Sequence, residues 1–231
     1  MPSEKRLKCV NDDHFSLRWR DRRRDHGSVQ PAPCILRLGP SETPALTRVL
    51  PMPATAALLV IDVQQGLCQG EYAAHDAAGL IQRINTLSEK ARAAGAPVVF
   101  IQHEAASGPL QHGSSGWPLA EGLNVAENDL RLRKTTPDAF LRTMLEALLL
   151  QHGIARVVIC GLQSEFCVDT TTRRAMALGF SVTLVADGHS TLDSAELTAP
   201  QITAHHNRLL PQISSFGSRT QCLQAEEVCF D

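Results

Sequence analysis

Four short, uninterrupted apolar runs recur along this chain: residues 57–61 (ALLVI), 97–102 (PVVFIQ), 156–160 (RVVIC) and 181–186 (SVTLVA). A strand wetted on one face alternates apolar and polar residues, so an unbroken run needs cover on both faces. Helical patterns lie between the runs. Residues 77–94 place Leu80, Ile81, Ile84, Leu87 and Ala91 on one stripe, closed by Gly95 and Pro97. Thr136-Pro137-Asp138 predicts a helix start, with the helix running through His152 to Gly153. A further helix is expected over 167–178, with Gly179 just past its end, and another over most of 194–210. Residues 130–134 and 220–223 read as two shorter strands. Repeated β-α alternation means a parallel sheet sandwiched between helices. Sites in such sheets lie beyond the carboxyl ends of the strands.

Charge divides the chain near Met52. Residues 1–51 hold 10 Lys/Arg against 6 Asp/Glu, whereas 52–231 hold 12 against 18. The first part contains the cluster Arg18 to Arg24, four prolines between 31 and 44, and no strand or helix period. It cannot bury enough apolar surface to offset its ordering entropy. We expect residues 1–51 to be a disordered or mis-started extension and 52–231 to be the domain. Four aspartates (Asp12, Asp13, Asp21, Asp25) make the extension a poor transit peptide.

The net charge of -2 and 4% aromatic content argue against a nucleic-acid-binding surface. No apolar run reaches the roughly 18 residues of a membrane span. Seven scattered cysteines without a CxxC pair read as reduced thiols, which points to the cytoplasm.

Three residues stand out chemically. Asp62 follows the first strand, where a carboxylate is costly unless paired. Period-two alternation puts Lys134 on the same face as Leu130 and Leu132, where an apolar residue belongs. Cys167 enters a helix a few residues after the strand that ends at Gly161. A thiol there meets the helix dipole and free N–H groups, which would lower its pKa and could hold an oxyanion. Cys160, inside a strand, fits an inert core thiol. Asp187 ends a strand with no evident partner and reads as a turn or cap residue. His205-His206-Asn207 reads as structural, since adjacent residues do not share a helical face.

The segments ALLVIDVQQG, RKTTPDAF and GLQSEFCVDTTTRRAMALGF, in that order, resemble the isochorismatase-like cysteine hydrolase family. VTLVADGHSTLD and ITAHHN extend the resemblance over the whole domain. It implies a three-layer α/β/α sandwich with a six-stranded parallel sheet. It also implies a triad of Asp62, Lys134 and Cys167, a cis peptide at Leu162–Gln163, and an oxyanion hole from the Gln163 and Cys167 N–H groups. The implied activity is hydrolysis of an amide or ureido C–N bond in a small molecule through a thioester.

Nicotinamidases of the superfamily hold a metal through an Asp-x-His pair and a further His. The corresponding segment here, QHEAASGPLQHGSSGW, has no such pair, so no metal or other cofactor is expected. True isochorismatases, which cleave a vinyl ether, typically lack the nucleophilic cysteine. Vinyl-ether hydrolysis is therefore the alternative reading, beside a catalytically silent oligomeric module. Gln64, Gln65, His103, Trp117 and Phe166 are candidates to line a substrate pocket. The expected partners are a small-molecule substrate and further copies of the chain, as a dimer or tetramer, with no nucleic acid or membrane.

Overall fold

The computed structural model describes residues 55–217 and 219–230. The expectation for residues 1–51 lies outside them. The chain runs β1 (Thr55–Ile61), a one-turn α1 (Gln65–Cys68), α2 (Ala77–Ala93), β2 (Val98–His103), β3 (Leu130–Lys134) and α3 (Leu145–Gln151). It continues through β4 (Ile154–Leu162), a π-helical turn (Ser164–Val168), α4 (Asp169–Ala177), β5 (Ser181–Ser190), α5 (Ala199–Leu209) and β6 (Thr220–Leu223). All paired strands are parallel, in the order β3-β2-β1-β4-β5-β6. This is the expected six-stranded α/β/α fold. The order turns back on itself between β1 and β4, the switch point at which open sheets form a crevice.

Alternation within the apolar runs feeds two cores. Ala56, Leu58 and Val60 of β1 pack with Leu80, Ile84 and Leu87 of α2 on one face. Ala57, Leu59 and Ile61 pack on the other face with Leu145 and Leu149 of α3 and Met176 of α4. Each face removes several fully buried aliphatic side chains from water, at about 1.5–3 kcal/mol apiece. No helix among the described residues is long and apolar enough to cross a membrane.

Two helices are shorter than expected. Residues 136–144 form turns, and only Leu145–Gln151 is helical. The Asp138 carboxylate accepts from the Phe140 and Leu141 N–H groups, and Arg142 adopts a left-handed conformation at φ 58°. Side-chain acceptors thus compete with helical bonds for these donors. Residues 194–198 likewise fold as a turn, with Ser194 Oγ accepting from the Glu196 and Leu197 N–H groups. α5 begins only after Thr198, whose capping box with Gln201 and the following Pro200 mark the start.

Gly161 lets β4 lie against β1 at the crevice. Its φ is 119°, and a Cβ there would collide with the Ile61 carbonyl oxygen and stand 2.7 Å from the Ile61 nitrogen. Gly161→Ala therefore forces backbone apart in the centre of the sheet. We expect it to cost at least about 2 kcal/mol, read as a lowered thermal midpoint or loss of soluble protein.

Candidate active site

Strand ends bring the chemistry together. Asp62 leaves β1 with φ 51° while its N–H donates to the Ile101 carbonyl of β2, which turns its carboxylate into the crevice. Lys134 ends β3, and its side chain has no exposed surface. Its Nζ lies 2.6 Å from Asp62 Oδ2, 3.2 Å from Cys167 Sγ, 3.2 Å from His103 Nδ1 and 3.1 Å from the Thr136 carbonyl oxygen. An ammonium has three protons, so this group has no capacity left. The second Asp62 oxygen, Oδ1, is buried without a hydrogen-bond partner among the described residues. A carboxylate so placed, close to a thiol, has a free lone pair to receive the thiol proton.

Cys167 differs from expectation in two ways. It lies inside the π-helical turn Ser164–Val168 rather than opening the α-helix. The turn arises because the Val168 N–H reaches back to the Gln163 carbonyl, which also accepts from Phe166. Its pKa is not lowered. Burial, then the negative charge of Asp62, push the thiol up to about 12, with Lys134 opposing. Desolvation and the adjacent carboxylate outweigh the helix-terminus effect. Both effects favour the thiol over the thiolate. Cys160 is fully buried, and burial alone raises its pKa.

His103 is held neutral by burial and by the Lys134 ammonium, with Asp62 opposing. Neutral Nδ1 can then accept from Lys134. An oxygen of Asp62, a ring nitrogen of His103 and Sγ of Cys167 lie within 4.8 Å of one another, a donor set that could hold a cation. The Lys134 ammonium already binds all three residues. A metal there would have to displace a buried, ion-paired lysine, so the set does not fit a resident ion.

The remaining expectations separate. The Leu162–Gln163 peptide is cis. Leu162 is fully buried in the core, while Gln163 faces a cavity of about 250 Å³ with Asp62, His103, Phe166 and Cys167. Gln64 does not line this cavity. It is fully buried, its Oε1 accepts from the His103 N–H, and its Nε2 donates to the His103 and Trp117 carbonyls. It is a clamp between β1, β2 and the following loop. Gln65 accepts from the Glu121 N–H at a separate hollow. Trp117 packs edge-on against His112 at 4.5 Å and lines a different hollow with Arg131 and Arg133. Long loops carry no period, so nothing in the sequence indicates which way such side chains turn.

Leu67, Leu110 and Pro137 complete the cavity and were not anticipated. Nor was a buried chain behind it. Ser164 Oγ lies 2.8 Å from His189 Nδ1, and His189 Nε2 lies 2.8 Å from Asn207 Oδ1. Asn207 Nδ2 donates to the Ala186 carbonyl, so its Oδ1 is the acceptor facing His189. The chain fixes the start of the Cys167 turn to β5 and α5. Asn207 thus has a structural role, as expected, and His206 Nδ1 bonds the Ile202 carbonyl. Asp187 does have partners: its carboxylate accepts from the Ala225 N–H and lies 3.8 Å from Arg83.

Two outcomes follow from these environments. Asp62→Asn removes the negative charge that raises the thiol while leaving Lys134 beside it. Cys167 should then be alkylated by iodoacetamide at neutral pH at least about threefold faster for each unit its pKa falls. Peptide mass spectrometry checks this. His189 is pushed down to about 4, chiefly by burial, against an ordinary value of 6.5. Its contribution to stability is complete above 6.5 and is lost as the pH falls through about 4. The stability gap between wild type and His189→Gln, measured by urea unfolding, should shrink over that interval.

Similarity to known proteins agrees with this fold. The family model described as Isochorismatase domain matches residues 56–210. A streptothricin hydrolase from Streptomyces noursei is 39% identical over 138 residues, 59% of this chain and 50% of that protein. The chain thus spans about half the length of that relative. The isochorismatase family protein YecD of Escherichia coli O157:H7 is 29% identical over 74% of this chain and 96% of its own length. A crystal structure of an isochorismatase family protein superposes with a TM-score of 0.67 at 34% identity, covering 73% of this chain and 98% of that one. With the domain match spanning β1 to the end of α5 and the same fold in a solved relative, this chain belongs to the isochorismatase family.

Proposed function

We propose that the chain is a cysteine hydrolase that cleaves a C–N bond, amide or ureido, in a small molecule through a thioester at Cys167. One observation carries this reading: a buried Lys134 ammonium bonded to both Asp62 and Cys167, with the second Asp62 oxygen left without a partner beside the thiol. The names of relatives support the class. They include streptothricin hydrolase and a ureidoacrylate amidohydrolase from Caulobacter vibrioides that is 27% identical over 62% of this chain and 76% of its own length.

In this mechanism the thiol proton passes to Asp62 as sulfur attacks the carbonyl carbon. Coupling the two steps avoids a free thiolate, which burial disfavours. The S–C bond forms while the carbonyl π pair moves to oxygen, where the N–H groups of Gln163 and Cys167 receive it. Collapse breaks the C–N bond, and the nitrogen leaves with the proton held by Asp62. Water then adds to the thioester, giving up its proton to Asp62. Release of the acid returns a proton to sulfur. Lys134 keeps Asp62 oriented and offsets the charge that builds on the thiol and the oxyanion.

The test is a panel of small amides and ureido compounds read by ammonia or amine release. Cys167→Ala should lower turnover at least about 1,000-fold, because no other group at this position can form the acyl intermediate. Cys167→Ser should be nearly as inactive, since Asp62 is too weak a base for a hydroxyl. An alanine variant that retains most of its turnover would falsify the covalent route. Exhaustive chelation should leave the rate unchanged, because Lys134 fills the only clustered metal-donor set identified among the described residues. Loss on chelation, with recovery on added zinc, would mean that a metal takes part.

A further inference from the structure

We propose that the cavity over Cys167 selects substrates whose acyl part is uncharged and compact, and turns away those carrying a carboxylate on it. The proposal rests on the hydrolase reading above, because it assigns the acyl part to this cavity. The cavity, of about 250 Å³, is walled mainly by Leu67, Leu110, Pro137 and Phe166, which form no hydrogen bonds through their side chains, with Gln163 as its uncharged polar member. Such walls replace water around a bound group without replacing its hydrogen bonds, a heavy penalty for a carboxylate and none for a hydrocarbon.

The charges on the cavity floor do not relieve that penalty. Lys134 is the cation nearest the thiol, and its three protons already serve four acceptors at 2.6–3.2 Å. No Arg or Lys side chain lines the cavity among the described residues. His103 is kept neutral by its surroundings, and Asp62 adds a negative charge that repels an anion. Phe166 has 54% of its surface exposed, so its ring is available to cover a flat, uncharged group as it enters.

The experiment compares two alkylating agents of almost the same size on the full chain. Neutral iodoacetamide and anionic iodoacetate are reacted with the protein, and peptide mass spectrometry reads the rate at each cysteine. Exposed Cys229 is the internal reference for their intrinsic reactivity. We expect the iodoacetamide-to-iodoacetate rate ratio at Cys167 to exceed that at Cys229 by at least about tenfold. Phe166→Arg, a change at a largely exposed position, should bring the two ratios close together by placing a guanidinium at the mouth.

Turnover provides a second arm. Butanamide should be hydrolysed at least about tenfold more efficiently than its carboxylate-bearing counterpart succinamate. Equal ratios at the two cysteines, or preference for succinamate, would overturn the proposal. If no compound of the amide and ureido panel is turned over while the labelling ratio stays high, the hydrolase reading fails and the charge selection of the cavity stands.

Discussion

A lysine side chain with no exposed surface lies among the ends of β1, β2 and β3, and four acceptors surround its nitrogen. Removing an ion from water costs several kcal/mol even after relaxation, and one counter-ion rarely repays it. Here the carboxylate of Asp62 is joined by a ring nitrogen, a carbonyl and a sulfur, so the four partners come from the ends of β1 and β2, the turn just after β3 and the Cys167 turn. β1, β2 and β3 have to end at matched heights for this to happen. The parallel register does so, pairing Ile61 with Ile101 and His103 with Lys134. The sheet therefore supplies the positional accuracy that a loop-built ion cluster would lack.

Side chains without direct access to the cavity keep the cluster in place. Gln64 spends its whole amide on the backbone of His103 and Trp117, locking the end of β2 against the end of β1. Ser164, His189 and Asn207 do the same for the Cys167 turn from the opposite side. Both sets are buried and satisfied, a condition under which polar groups rigidify rather than weaken a core. The Cys167 sulfur is thus held from β3, while the turn that carries it is held from β5 and α5.

The parts of this arrangement that were legible in the sequence obey a period. Unbroken apolar runs identified the buried strands. Alternation through Leu130 and Leu132 exposed Lys134 as a cation on an apolar face, and Asp62 stood at a strand end with no local reason to be there. The parts that were not legible are set by individual hydrogen bonds. A pattern of apolar spacing cannot show that Asp138 will cap the Phe140 and Leu141 N–H groups and so delay α3 to Leu145. Nor can it show that Gln64 turns inward while Trp117 faces a separate hollow, or that His189 finds Ser164 25 residues away. The family resemblance picked out Asp62, Lys134 and Cys167, which the structure brings together, but it carried no information on the walls formed by Leu67 and Leu110.

Those walls and the floor divide the work of the site. Everything that handles charge lies on the floor, at the strand ends, where the protons of Lys134 and one oxygen of Asp62 are already committed. The apolar part of the lining lies off the strand ends: Leu67 on α1, Leu110 and Pro137 on loops, and Phe166 on the Cys167 turn. A thiol held near 12 fits this division. Burial and the Asp62 charge both favour its neutral form, so the only charges at the floor are those of the buried pair. Under the proposed reading, specificity can change by replacing a rim residue such as Phe166 without disturbing the buried ion pair, whereas changing the proton route means rebuilding the sheet ends that hold Asp62 and Lys134 together.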